Sequence, residues 1–438
     1  MTDDTRRMPT PLRRRVGLSR ARAAVALCVV GVLVIAGCSA PTSGSTRAGA
    51  PSPSATVASP PAAARDGLLA ALTWADGAPI EATTISHDDA TDVTLEPFVG
   101  DGRADLGGFQ PAVVLADGEA VVFRSPTPED EGAVPEIGRW AGAYSPLTSS
   151  KGLVPDTSGR QMIGADTDGT TLVWTEATVI QGSYYAPWRL FAAPLAGGKA
   201  RLLARSEQLW DGKVIASGHR TVPRISGGRA WMQTIVPEAG AGRMAVVSSS
   251  LTASDLRVEA RHATHPHPLR SDVVIVRNEG ESSMLAMSPD GPETITSLEI
   301  MGPDGGTQPV MNVTQEPEGV SPLGSLGSTG DHLVISSAEE LLVADPATRS
   351  AAVVPASPGR PISNLWVCRD LVAWTTADPA DPVATTEAYL LVPSSGRLLR
   401  RETPDVTVGV MCGEGTVVWA DRPAGETEGW ISTITRAP

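Results

Sequence analysis

A double-hairpin motif recurs along residues 66–438 and limits what this chain can fold into more than any other feature. Its first half is a hairpin ending in an apolar strand with an aromatic near its end: Val113 to Phe123, Met162 to Trp174, Val222 to Trp231, Trp366 to Trp374 and Val408 to Trp419. Less regular copies sit at Val273 to Val276 and Leu333 to Ile335. Its second half is another hairpin with a tight polar turn, as in Arg189 to Gly198, Met284 to Gly291, Leu341 to Pro346 and Tyr389 to Gly396; Met244 to Val258 fits the same mould. Turn signals such as Asp117-Gly118, Asp168-Gly169, Gly227-Gly228 and Asp290-Gly291 separate runs rich in Val, Leu, Ile, Thr and Trp, and strong helical periodicity is absent.

Two hairpins make four strands per unit, at the spacing of propeller blades, and such a unit buries both faces only by packing on its neighbours in a ring. The pattern resembles the divergent bacterial β-propellers of the WD40, YVTN and TolB-like kind. Ala344-Asp345-Pro346-Ala347-Thr348 approaches the Asp-Pro-x-Thr turn of the YVTN type, while the Gly-His and Trp-Asp pairs of WD repeats do not recur. The resemblance implies an all-β domain. Repeat starts near residues 112, 162, 222, 272, 332, 366 and 408 predict a seven-bladed β-propeller; six blades is the alternative, because the repeats around residues 270 and 330 are poor. The last repeat has strands near Val408 to Met411, Thr416 to Trp419 and Trp430 to Thr435 but no sequence left for a fourth. An open sheet edge is a liability, so a strand from Leu68 to Phe98 is expected to pair with Trp430 to Thr435 and close the ring.

The N-terminus carries an export signal. A basic stretch with Arg6, Arg7, Arg13, Arg14, Arg15, Arg20 and Arg22 precedes an apolar run, Ala23 to Val34, that is too short to span a bilayer as a mature helix. Gly17 stands where a twin-arginine motif wants a bulky apolar residue, which favours the general secretory route. Ile35-Ala36-Gly37-Cys38 then resembles the lipobox of bacterial lipoproteins. The resemblance implies that residues 1–37 are a signal peptide, that Cys38 receives diacylglycerol, and that the mature chain sits on the outer, extracytoplasmic face of the cytoplasmic membrane. Scarce lysine (Lys151, Lys199 and Lys213) with abundant Ala, Gly, Pro and Arg fits a high-GC bacterial genome and a Gram-positive surface. Residues 38–65 are Ser, Pro, Ala, Thr and Gly almost throughout, the composition of a disordered tether spanning about 30 Å.

Charge narrows the partners. The chain is formally −14, and loss of the seven arginines and two aspartates in residues 1–37 makes the mature protein −19. Such a body is repelled by phosphate backbones and anionic lipid, so the sequence predicts no nucleic-acid partner and a membrane contact through the lipid alone.

Few residues carry a chemical signature. Trp174, Trp231, Trp374 and Trp419 recur at equivalent strand positions and are expected to fill the space between blades. Cys368 and Cys412 occupy equivalent positions in adjacent repeats, either bridged in an oxidising compartment or as two buried thiols set apart by repeat symmetry. In Arg261-His262-Ala263-Thr264-His265-Pro266-His267-Pro268, extended backbone points His265 and His267 the same way, which could hold zinc or copper. No Cys or carboxylate completes the set, and a solvent-facing loop is expected. Asp166-Thr167-Asp168-Gly169 opens like a calcium loop but reads as an Asp-Gly hairpin turn. No nucleophile elbow, phosphate loop, dinucleotide fingerprint or zinc-protease motif occurs, so no catalytic residue, metal or cofactor is predicted.

What remains is loop chemistry. The connections between second and third strands open on the same face as the links between blades, and they carry Glu176, Tyr184, Tyr185, Trp188, Glu238, Asp378, Asp381, Asp421, Glu426 and Glu428. The first inter-blade link adds Glu129, Asp130, Glu131, Glu136, Trp140 and Tyr144. An acidic rim with aromatics suits a basic peptide, a cation or a sugar. The sequence therefore predicts a binding or scaffold module at the envelope, for a protein, peptide or glycan; an envelope hydrolase or lyase on the propeller face is the alternative.

Overall fold

The computed structural model describes residues 67–436 apart from 94–95, 98–109, 116–117, 127–132, 155–159, 179–186, 211–221, 239–240, 280–293, 303–304, 315–322, 324, 379–380, 402–405, 414 and 423–430. Residues 1–66, with the expected signal peptide, Cys38 and the whole of the expected tether, lie outside the described residues, as do Tyr184 and Tyr185. No helix among the described residues is long and apolar enough to cross a membrane.

The described strands form seven sheets, and within each the strands of one repeat are antiparallel neighbours in chain order. Sheet 1 comprises Gln110–Val114, Ala120–Arg124, Glu136–Trp140 and Tyr144–Thr148; sheet 2 comprises Arg160–Thr167, Thr171–Thr178, Trp188–Pro194 and Arg201–Arg205. Sheet 3 comprises Arg224–Ser226, Arg229–Glu238, Ala241–Ser250 and Arg257–Arg261; sheet 4 comprises Ala263–Leu269, Asp272–Glu279, Thr294–Met301 and Thr307–Val313. Sheet 5 comprises Ser325–Ser328, Leu333–Ser336, Glu340–Asp345 and Ser350–Pro355, and sheet 6 comprises Ile362–Val367, Val372–Asp378, Asp381–Val392 and Arg397–Arg401. Sheet 7 contributes only Val406–Gly413, Thr416–Arg422 and Ile431–Arg436 from its own repeat.

The first strands of successive sheets touch one another in order, and that of sheet 7 touches that of sheet 1, so they line the inside of a closed ring. This is the all-β propeller the repeats predict. Glycine sets how closely those inner strands approach. A Cβ at Gly164 would come within 2.9 Å of Val222, and one at Gly413 within 2.6 Å of the Val114 carbonyl oxygen where sheet 7 meets sheet 1. Trp174, Trp374 and Trp419 are buried between the sheets, as expected of the recurring aromatics, and Trp231 nearly so.

The ring closes through its N-terminal segment: Glu96 and Pro97 pair with Ile434 and Thr433 and complete sheet 7 with a fourth strand. The same segment does more than close the seam. Leu72–Trp74 adds a fifth strand to sheet 4, Thr83–Thr84 one to sheet 5 and Thr91–Asp92 one to sheet 6. The described residues of 67–97 thus run as a belt along the outer edges of four consecutive sheets before the first repeat begins. Leu68, Leu72 and Ile80 are fully buried against sheets 4 and 5, and Trp74 stacks beneath the Arg349 guanidinium.

Two repeats begin earlier than their sequence suggests. Val273 to Val276 and Leu333 to Ile335 are second strands, and the first strands are Ala263–Leu269 and Ser325–Ser328. An innermost strand pairs on one side only, so it tolerates Pro266 and Pro268 and need not read as apolar. The second hairpin of sheet 4 is Thr294–Met301 with Thr307–Val313, whereas the stretch Met284 to Gly291 lies outside the described residues.

Candidate functional site

The inner strands enclose a central channel of about 1260 Å³. Its wall is polar and apolar in nearly equal measure, and many of its polar side chains come from sheets 2, 3 and 4, with Arg139 added from sheet 1 and Arg369 from sheet 6. Asp166 and Asp168 come from sheet 2, Arg224 and Gln233 from sheet 3, His265 and His267 from sheet 4. Arg369, on the turn after the inner strand of sheet 6, reaches back over the channel and donates from Nη2 to the Thr167 carbonyl of sheet 2 at 2.7 Å.

Local structure explains each placement. The inner strand of sheet 3 is only Arg224–Ser226, so Gln233 on the next strand is left uncovered and its Oε1 accepts the His265 N–H at 2.8 Å. His265 has φ 52 and sits in a bulge where the register of sheet 4 shifts between Thr264 and His267. A side chain in the left-handed region is strained, and bulges re-aim side chains; here the bulge turns both imidazoles into the channel. Asp166 Oδ2 accepts the Ile225 N–H at 2.8 Å, tying sheet 2 to sheet 3 beside Arg224. Asp168 accepts from the Thr170 N–H, the Thr170 hydroxyl and the Thr171 N–H, so it caps the Asp-Gly turn as the sequence predicts.

The electrostatics follow from this crowding. Burial drives the Asp166 carboxyl above its ordinary value, against the opposing pull of Arg224 and the Ile225 amide. Burial also acts to raise Asp168, but the Thr171 and Thr170 donors outweigh it and hold that carboxyl low. His267 is held well below the usual imidazole range, chiefly by its desolvation in the wall and then by the neighbouring charges of Arg224 and His265. It is a neutral imidazole at pH 7. Arg224 makes no hydrogen bond or ion pair with any described residue.

Among the described rim candidates, three are interior residues; Glu129, Asp130, Glu131, Glu426 and Glu428 lie outside the described residues. Glu176 is fully buried, where it takes the Trp174 indole N–H at 2.7 Å and pairs with Arg160 at 3.1 Å. Trp188 is also fully buried and donates to the Thr234 hydroxyl at 2.8 Å. Asp421 is buried against Arg401. A sequence signal was present for two of these: residues i and i+2 of a strand share a face, and Glu176 and Asp421 each stand two places after a core tryptophan. Trp140 and Tyr144 pair across the turn between third and fourth strands of sheet 1, at the opposite end of the sheet from its second-to-third connection. They are half-buried, with Tyr144 against Gly138. Asp378 and Asp381 are backbone partners at the end of their hairpin in sheet 6.

The histidines are also placed differently from the expectation. His265 and His267 belong to an inner strand rather than a solvent-facing loop, and His262 turns away to Glu238 at 3.2 Å. Among the described residues no cluster of three or more His, Cys, Asp and Glu is arranged to hold a metal ion. Cys368 and Cys412 are joined by a disulfide between the inner strands of sheets 6 and 7, with Cα atoms 5.2 Å apart, and they form part of the channel wall.

No family model matches the chain, and no curated protein does. Solved structures do. The chain is similar to the β-propeller domain of the Trilobed protease from Pyrococcus furiosus, described as having an open velcro topology, at 9% identity over 74% of this chain and 94% of that one, with TM-score 0.48. It is also similar to YCF48 bound to D1 peptide, at 10% identity over 78% and 99% of the two chains, with TM-score 0.41. An α-L-arabinofuranosidase, Arb93A from Fusarium graminearum, matches at 10% identity over 70% and 98%, with TM-score 0.36.

Proposed function

We propose that the protein is a lipid-anchored extracytoplasmic binding module whose seven sheets act as seven blades around a ligand-binding central channel. The observation that carries this reading is the convergence of Asp166, Arg224, His265 and His267 from three consecutive inner strands on one stretch of channel wall. Polar groups converging on a preformed concavity fix a ligand's orientation. The lipobox at Ile35 to Cys38 supports the anchor, and the acidic body supports a partner other than nucleic acid or the bilayer surface.

A glycosidase-type hydrolase needs two carboxyls flanking the scissile bond, about 5–10 Å apart. The carboxylates described in this channel wall, Asp166 and Asp168, share one strand and its turn, and Asp168 is committed to capping that turn. Both carboxylates already accept backbone N–H groups, Asp166 from Ile225 and Asp168 from Thr170 and Thr171, which supports binding over hydrolysis.

Site-specific photocrosslinking in native membranes tests the reading. A crosslinker at Ile163, partly exposed in the channel wall, is expected to capture envelope material; one at Val258, comparably exposed on an outer strand, is not. Capture from Val258 with none from Ile163 would move the binding surface to the outside of the ring.

A further inference from the structure

We infer that the channel wall formed by Arg224, His267 and His265 takes a small anionic ligand through a carboxylate or phosphate group. The inference rests on the channel-binding reading and adds the chemistry of the ligand.

Arg224 is the cation of this wall. Its guanidinium lines the channel without a hydrogen-bond or ion-pair partner among the described residues, whereas nearby arginines are engaged: Arg369 with the Thr167 carbonyl and Arg139 with Glu119. The charge facing it is incomplete compensation. Asp166 interacts with Arg224 electrostatically but spends Oδ2 on the Ile225 amide and is raised by burial, and Asp168 commits Oδ1 to three donors of its own turn. A guanidinium presents a planar fork of donors that matches the two oxygens of a carboxylate or two of a phosphate.

His267 supplies the second contact. Neutral at pH 7, it offers one ring N–H to an anion without the cost of burying another charge. His265 lines the same space from a bulge where its backbone has φ 52. Arg224 from sheet 3 and His265 on its own strand act on His267 directly, and the other titratable or charged groups lining the channel with it are Asp166 and Asp168 from sheet 2, Arg139 from sheet 1 and Arg369 from sheet 6. An anion seated on Arg224 offsets the cation that depresses His267, so binding raises the affinity of His267 for a proton. By linkage, binding tightens as the pH falls and His267 becomes charged.

The test uses full-length protein in detergent, with histidine ring carbons labelled for NMR, titrated with inorganic phosphate, with citrate and with a neutral oligosaccharide. Saturable movement of the His267 signal by phosphate or citrate, with an upward shift of its titration midpoint, is expected. Phosphate acting alone assigns a phosphoryl ligand, citrate alone a carboxylate. Arg224→Gln should weaken the effective anion about tenfold or more, the scale of a lost charge-assisted pair. Arg224→Lys, which keeps the charge but not the fork, covers the case in which the glutamine variant unfolds and should fall between the two. Anions that leave His267 unmoved, or that bind Arg224→Gln as tightly as the parent, overturn the inference. If the oligosaccharide alone moves the His267 signal, the anionic class fails while the channel-binding reading stands; if photocrosslinking also finds nothing in the channel, both fail.

Discussion

Arg401 of sheet 6 reaches Asp421 of sheet 7 through the interior, Nη1 to Oδ1 3.0 Å, with the two side chains 3% and 1% exposed. The Thr407 hydroxyl donates to the same carboxylate at 2.9 Å, and the guanidinium lies over the Trp419 ring. Breaking one side of such a pair leaves an uncompensated buried charge, which costs about 3–5 kcal/mol. Asp421→Ala is expected to lose that much in urea unfolding, and Arg401→Met with Asp421→Leu to lose less than either single change. Equal or greater loss in the double variant would refute the burial argument.

The belt predicts an asymmetry between two deletions. Removing residues 67–97 strips an outer strand from four sheets and uncovers apolar residues of sheets 4 and 5, so thermal melting should show the domain unfolded or severely destabilised. Removing the tether, residues 39–64, should leave the melting temperature unchanged.

Ring closure can be probed at one atom. Gly413→Ala places a methyl group against the Val114 carbonyl oxygen, and the inner strands of sheets 7 and 1 must part to admit it. A loss of about 1–3 kcal/mol is expected from such overpacking. The disulfide nearby should leave Cys368 and Cys412 unalkylated in denatured, unreduced protein, and replacing both by serine should cost about 4 kcal/mol, given the 44-residue separation.

The pH dependence of stability has a defined sign at His267. Its folded-state value lies below the ordinary 6.5, so as the pH falls through 6.5 the unfolded chain gains a proton that the folded one resists. Stability contributed by neutral His267 is thus complete at higher pH and declines below about 6.5. His267→Gln should flatten the loss of stability between pH 7 and 5, measured by urea unfolding. A variant that loses stability over that interval as steeply as the parent would exclude this origin.

The anchor is tested in cells. Cys38→Ala should release the protein from the membrane fraction; retention after a salt wash would end the lipoprotein reading.

The sequence determined the repeat, and with it the all-β ring, because alternating apolar strands with tight turns are local patterns and Trp174, Trp374 and Trp419 have no other place to go than between sheets. It also showed that the last repeat lacked a strand and where that strand had to come from. The placement of polar side chains was decided only by tertiary structure. Whether a polar residue late in a strand faces solvent or a buried arginine depends on what the neighbouring sheet sets against it, and so Glu176 and Asp421 left the rim for the interior. The channel wall was hidden for the converse reason. An innermost strand needs little apolar pattern, since one edge faces open space, and its histidines and prolines look like a loop until the ring is closed around them.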